Sequence, residues 1–161
     1  MIKNLPSVDD ELIVKLRKAN ENRGLWYYYL LKTAKDKGYN IEEFARKAIR
    51  KVGQARKGQY PDTDDLKVFV EAFMDDINKN LFEMELIYIN DKEAKIEFHY
   101  CPMTGMWTKL TEDQKFLEQI CDIAMDVDRG LFDEYDCFDF VLGKTICEGN
   151  DTCELYIKKV K

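Results

Sequence analysis

The hydrophobic pattern of this sequence changes its period at residue 81, and that change constrains the fold more than any other feature. Before it, apolar residues recur at the i, i+3, i+4 and i+7 spacing of a helix, as in Leu66, Phe69, Val70 and Phe73. After it, apolar and mostly polar residues alternate, as a half-buried strand requires, at Phe82, Met84, Leu86 and Tyr88. The sequence therefore predicts an α+β fold with helices first and antiparallel strands second.

Four helices are predicted in the first part of the chain. Ser7 caps the first helix, which Gly24 interrupts or ends, and residues 25–37 form the second, with Gly38 behind it. Asn40 begins the third helix, with Glu43 completing a capping box and an apolar stripe of Phe44, Ala48 and Val52. A turn over residues 61–64 begins the fourth.

Two hairpins and one helix are predicted in the second part. Residues 81–101 and 138–159 give a four-stranded antiparallel sheet, covered on one face by the helices. In the first hairpin Leu86 pairs with Phe98, and both are expected to be buried together with Leu142. Residues 112–133 form a long helix, and Gly149-Asn150 makes a two-residue turn. The predicted arrangement is one domain, residues 1–161, with a helical part at 1–78 and a ββαββ part at 79–161.

The composition disfavours several classes of partner and several cellular locations. With 31 acidic and 25 basic residues the net charge is −6, which disfavours nucleic acid and anionic membrane surfaces as partners, and the basic residues of 46–57 are interpreted as a solvated helix face. No apolar run approaches the roughly 20 residues of a membrane span, and no secretory signal is visible. These features predict a cytoplasmic protein, in which the five cysteines are free thiols rather than disulfides.

Several side chains could carry chemistry. His99 and Cys101 lie two apart on a predicted strand and so leave the same face, where they could be a nucleophile with its base or two metal ligands. A solvated strand face is the more ordinary interpretation. Asp122 and Asp126 share a helix face beside Cys121, which suits acid/base work, although exposed helix acids are commoner. The predicted turn directs Cys147 and Cys153 to opposite faces.

These positions together resemble a known family. His99-Tyr100-Cys101-Pro102, then Cys121-Asp122, then the run from Glu148 to Leu155, resemble the L-2-amino-thiazoline-4-carboxylic acid hydrolase family, as does Asn22-Arg23-Gly24-Leu25-Trp26 near the start. The resemblance implies hydrolysis of a non-peptide C–N bond in a cyclic amidine or thiazoline-type substrate. By position, Cys101, Cys121 and Cys153 match the family's cysteines. The matching acid stays open among Asp122, Asp126 and Asp128.

The resemblance leads to a predicted site between the sheet and the helix of residues 112–133. Cys101, Cys121 and Cys153 line it, with Trp107 near its mouth. Cys101 is the expected nucleophile, His99 its base and Asp126 a second proton carrier. The open alternative is a zinc ion held by Cys101, Cys121, Cys153 and His99.

A fainter resemblance, to sensor domains related to vinyl reductases, supplies a rival function. In it the domain binds a small molecule without turnover and uses its cysteines as a structural metal site. A third class, an interaction or scaffolding protein, would be favoured by a large exposed apolar patch without an enclosed pocket. The expected partner is a small molecule, and the sequence is compatible with a homo-oligomer.

Overall fold

The computed structural model of the chain describes residues 2–161, which form seven α-helices and four β-strands. The helices are α1 Glu11–Asp36, α2 Ile41–Ala55, α3 Leu66–Phe73, α4 Asp76–Phe82, α5 Pro102–Trp107, α6 Gln114–Ala124 and α7 Asp126–Phe132. The strands are β1 Met84–Ile89, β2 Glu93–Phe98, β3 Phe138–Leu142 and β4 Cys153–Lys159. They form one antiparallel sheet in the order β1-β2-β4-β3, which confirms the predicted α+β class.

Helix α1 is one continuous helix of 26 residues, so the predicted break at Gly24 is wrong. A Cβ at Gly24 would lie 3.3 Å from the Cα of Met103, which shows that this glycine permits close packing against α5. The helix begins at Asp10, whose side chain accepts a hydrogen bond from the Ile13 amide, and not at Ser7. It ends before Gly38, which has the left-handed φ of 79° expected there.

Helix α2 buries a different face from the predicted one. Ile41, Ala45 and Gly53 are buried, whereas Phe44 and Val52 of the predicted stripe are exposed. The predicted capping box at Asn40 is also missing, because its side chain makes no capping hydrogen bond. The buried face of α2 contains small residues, Ala45 and Gly53, which allow another helix to approach closely.

The reason is a backbone-to-backbone crossing of α2 and α7. A Cβ at Gly53 would lie 1.9 Å from the carbonyl oxygen of Val127, and one at Gly130 would lie 2.0 Å from that of Arg50. No side chain fits at either point, so glycine is required on both helices. This crossing fixes the position of α7, which carries Asp126 and Asp128.

The first hairpin keeps the predicted faces only as far as Leu86, and its register differs from the prediction. Met84 pairs with Phe98 and Leu86 with Ile96, a shift of two residues, and a bulge follows Leu86. Beyond the bulge, Tyr88 pairs with Lys95 and lies on the face opposite to the predicted one. Phe98 is buried as predicted and Leu142 is half-buried, but Leu86 is exposed, because the core cluster contacts Met84 and Ile89 of this edge strand and not Leu86.

The second hairpin lacks the predicted two-residue turn. Leu142 pairs with Leu155, and the connection contains a short 3₁₀ helix, Ile146–Glu148, capped by Thr145. Gly149 has a left-handed φ of 88° at the end of that 3₁₀ helix. This local structure turns Cys147 into the interior, where it is fully buried.

Two apolar clusters fill the interior, and each draws residues from both sides of residue 78. One contains Leu66, Ile96 and Leu155 under the sheet, and the other contains Tyr28, Phe116 and Cys147 between helices. The predicted helix of 112–133 is divided at Met125 into α6 and α7, and the ambiguous stretch after Pro102 is helix α5. No helix within residues 2–161 combines the length and apolar character needed to cross a bilayer.

Candidate functional site

Four of the five thiols are neighbours in the interior. Cys101 precedes α5, Cys121 lies on α6, Cys147 lies in the 3₁₀ helix and Cys153 begins β4. A negative charge on Cys101, Cys147 or Cys153 raises the pKa of Cys121, so all of them lie within electrostatic reach of that thiol. Cys137 stands apart, with its Sγ 3.6 Å from the Thr63 carbonyl oxygen.

The thiols of Cys121 and Cys147 are neighbours that interact and differ in acidity. The Thr104 hydroxyl lies 3.2 Å from the Cys147 Sγ. The neighbouring Cys121 thiol and Thr104 lower the pKa of Cys147 against the opposing effect of burial, while the interaction with Cys147 and burial raise the pKa of Cys121. Burial also raises the pKa of Cys153, which accepts from the Ile146 amide at 3.2 Å.

Cys101 is half-buried, whereas the other three members of this group are buried. Its backbone is held on both sides by Asn4, whose amide group donates to the Cys101 carbonyl at 2.8 Å and accepts from the Cys101 amide at 2.9 Å. Burial raises the pKa of the Cys101 thiol, and the nearby polar groups of Thr104 and Met103 oppose that rise.

Arg23 on α1 lies within electrostatic reach of both Cys101 and Asp128, the latter on α7. Burial lowers the pKa of Arg23, and the nearby Cys101 and Asp128 oppose this effect. Burial raises the pKa of Asp128 to about 6, although Arg56, Arg129 and Arg23 all act to lower it. Within residues 2–161, no cation lies at ion-pair distance from the Asp128 carboxylate. We refer to these three side chains as the Arg23–Cys101–Asp128 cluster.

The cluster combines solvent contact with an enclosed environment. Arg23 is exposed, and Cys101 and Asp128 are half-buried, yet burial is the largest influence on the pKa of each. The Arg23 guanidinium reaches α5 directly, where Nη2 lies 3.3 Å from the Met103 Sδ.

The structure does not place His99 or Trp107 where the sequence predicted them. The His99 Nε2 lies 3.0 Å from Glu85 Oε2, and both line a surface groove of about 480 Å³ with Lys79. Trp107 is only 1% exposed, and its indole donates to the Gly24 carbonyl at 2.9 Å. Trp107 therefore anchors α5 to α1 instead of standing at a mouth.

Asp126 belongs to an ion-pair network and not to the cluster. Its side chain is 3% exposed and pairs with Arg129 at 2.9 Å and with Arg46 at 3.3 Å. Asp122 pairs with the same two arginines, and hydrogen bonds from Arg129 and Arg46 lower the pKa of Asp122 although burial acts to raise it. Both carboxylates hold α6 and α7 to α2. Proton transfer by Asp126 would break this network.

The proposed zinc ligands do not form a metal site. Within the described part of the chain, no group of three or more His, Cys, Asp or Glu side chains has a geometry that could hold a metal ion. Cys101, Cys121 and Cys153 are near one another, but His99 turns outward to Glu85. The residues present therefore do not fit a zinc centre.

The sequence contained signals for the residues that were missed. Arg23 stands within the family-like motif, directly before the glycine that packs against α5, and Asp128 was one of three candidate acids. Arg56 belongs to the basic stretch interpreted as a solvated face. Cys147 was set apart by the predicted turn that the structure replaces with a 3₁₀ helix.

Comparisons with known proteins give one family and one fold. A family model described as L-2-amino-thiazoline-4-carboxylic acid hydrolase matches residues 19–157. No curated protein sequence matches the chain. The crystal structure of a trafficking protein particle complex subunit 3 from Naegleria fowleri, covalently bound to palmitic acid, is similar with a TM-score of 0.63 and 16% identity. That similarity covers 90% of this chain and 97% of the other, and shows a shared fold.

Proposed function

Because the chain belongs to the L-2-amino-thiazoline-4-carboxylic acid hydrolase family, we propose that it hydrolyses a C–N bond in a small cyclic amidine that carries a carboxylate. The observation that supports this most is the Arg23–Cys101–Asp128 cluster. In it, a positively charged side chain lies within electrostatic reach of both a thiol and a carboxyl group. A reaction of this kind needs all three groups.

Each member of the cluster has a distinct proposed role. Cys101 is the nucleophile, because it is the half-buried member of the thiol group and lies within electrostatic reach of Arg23, whose charge would stabilise a thiolate. Asp128 is the proton carrier, because a carboxyl group with a pKa of about 6 exchanges protons readily near neutral pH. Arg23 binds the substrate carboxylate, since a guanidinium can pair with it through two hydrogen bonds.

The chemistry requires one water molecule and no external oxidant or reductant. Asp128 takes the proton of the Cys101 thiol, and the thiolate adds to the amidine carbon. The bond from that carbon to the ring nitrogen breaks, and the nitrogen receives one proton from Asp128 and one from the exocyclic amine, which becomes an imine. Water then adds to the same carbon, the bond from carbon to the Cys101 sulfur breaks, and a proton of that water restores the thiol.

Replacing Cys101 by alanine is expected to lower turnover of a thiazoline carboxylate by a factor of at least about 10² in a protein that stays folded. The measurement is ring opening followed by steady-state kinetics. The matched control is Cys137→Ala, because Cys137 is half-buried like Cys101 but lies outside the thiol group. His99→Ala should also retain turnover. Full activity in Cys101→Ala would remove this thiol from the mechanism.

Replacing Arg23 by methionine is expected to lower kcat/KM by a factor of about 10 to 100 through a higher KM, because a charge-assisted contact contributes about 1.5–3 kcal/mol. The loss should disappear for a matched amidine that lacks the carboxylate. Arg23→Lys should recover part of the affinity, since the charge remains without the bidentate geometry. An equal loss for both substrates would show that Arg23 does not bind the carboxylate.

Tight binding of the same compounds without turnover would instead support the small-molecule-binding alternative. An intact-mass spectrum of the purified protein answers a separate question raised by the structural neighbour, which carries palmitate covalently. A mass increase of the size of an acyl group would favour acylation of a cysteine, through a thioester, over the hydrolase function.

The five free thiols also favour a reducing compartment, and we propose the cytoplasm.

A further inference from the structure

An exposed apolar face runs along the outer side of α1. Trp26 is 68% and Leu30 67% exposed, and Tyr29 and Tyr39 are also mostly exposed. Together they border a groove of about 520 Å³ whose remaining lining includes Leu25, Thr33 and Lys37. We call these seven residues the α1 face. A contiguous apolar surface of this kind on a folded chain marks an interaction site.

We propose that the α1 face binds a second copy of this chain, with the two α1 helices packed antiparallel across a two-fold axis between Tyr29 and Leu30. The exposed members of α1 recur every three or four residues, at 26, 29, 30, 33 and 37, which is the stripe that a helix pair needs. A two-fold interface uses the same patch on both copies.

The exposed area suits a dimer of this chain. From their exposed fractions, Trp26, Tyr29, Leu30 and Tyr39 present on the order of 550 Å² of surface. A standard interface buries about 800 Å² on each partner, so the adjoining Leu25, Thr33 and Lys37 supply most of the difference. Trp26, Tyr29 and Tyr39 are aromatic, and Trp and Tyr are residue types that contribute most of the binding energy at interfaces.

The charges favour the antiparallel arrangement. About an axis between residues 29 and 30, Trp26 faces Thr33 of the other copy, and Lys37 faces Asn22, which is exposed. Lys37 is the one ionisable group on the α1 stripe apart from the Tyr29 phenol, and it meets an amide instead of a like charge. A parallel pair would bring Lys37 against Lys37, which is unfavourable.

The test is the mass of the full-length chain by sedimentation equilibrium, from about 1 to about 100 µM. We expect a species of twice the 19.0 kDa chain mass. Trp26→Lys should raise the dimer Kd by a factor of at least about 30, because it removes a central aromatic residue. Trp26→Lys combined with Thr33→Glu should restore the dimer, since Lys at 26 then meets Glu at 33 of the other copy.

The control is Val141→Lys, which charges an exposed apolar position on strand β3 and should leave the dimer unchanged. Circular dichroism establishes that each variant keeps its helices. A wild-type chain that is monomeric at about 100 µM overturns the proposal, as does a dimer that Trp26→Lys does not weaken. Failure of the double variant to associate overturns the antiparallel pairing.

Discussion

Asp128→Asn is expected to lower turnover by a factor of about 10² to 10⁴ while making the folded protein more stable. The carboxylate is surrounded by protein, and within the described residues no arginine or lysine lies at ion-pair distance from it. The substitution removes the group that transfers the proton. It preserves the packing, because asparagine is nearly the same size as aspartate. Turnover and stability change in opposite directions because the buried ionised carboxylate lowers the stability of the fold and is needed only for the reaction.

The pH dependence follows from the direction of the pKa shift. Burial raises the pKa of Asp128 from 3.8 to about 6, so between those values the folded state binds more protons than the unfolded state. Stability contributed by this group is therefore lost as the pH rises through that window, and no penalty remains below it. Two pKa units correspond to about 3 kcal/mol, which is an upper limit for the gain in Asp128→Asn at pH 7.

Two measurements check this expectation. Chemical denaturation at pH 4 and pH 7 should show a stability gain for Asp128→Asn only at the higher pH. In wild type, kcat/KM should rise through a pH of about 6 as Asp128 ionises, and this limb should be absent in the variant. Asp136→Asn is the control for removing a carboxylate, because Asp136 is exposed. A variant with unchanged turnover would exclude Asp128 as the proton carrier.

Asp126→Ala is expected to destabilise the protein by about 3–5 kcal/mol, the usual cost of removing one partner from a buried ion pair. Asp126 is 3% exposed and accepts from Arg129 at 2.9 Å and from Arg46 at 3.3 Å. Without it, both guanidiniums keep only part of their acceptors. The effect should appear as a lower midpoint of denaturation.

The matched comparison for Asp126 is Asp133, which pairs with Arg50 at 2.5 Å on the exposed side of the same helix junction. Asp133→Ala should cost at most about 1 kcal/mol, because solvent screens an exposed pair. Asp126→Asn should lie between the two, since an amide keeps one acceptor. Equal stability losses for Asp126→Ala and Asp133→Ala would contradict a buried structural role for Asp126.

Local patterns predicted the sheet, but the helix faces depended on contacts distant in sequence. Alternation at residues 82–100 was enough for the hairpin, whereas its register required knowing where the bulge falls. The stripe of Phe44, Ala48 and Val52 is a true apolar stripe, yet α2 turns Gly53 inward because α7 packs there through Gly130. A hydrophobic pattern does not reveal a backbone crossing.

The candidate site was only partly predictable for the same reason. Cys101 could be singled out from a family-like motif, but its neighbours Arg23 and Asp128 come from helices at opposite ends of the chain. Their proximity arises from packing, and no spacing in the sequence encodes it. His99 was favoured because it lies two positions from Cys101 on the predicted strand, while the actual strand ends at Phe98.

The glycine crossing between α2 and α7 also determines which parts of the site can move. At this crossing the two backbones are in direct contact, and no side chain lies between them whose rotamer could change. We therefore expect α2 and α7 to move together as one rigid unit. The backbone that carries Asp128 is thus expected to be held in place. Movement that admits a substrate is expected instead where α5 meets α1 through the flexible side chains of Met103 and Arg23.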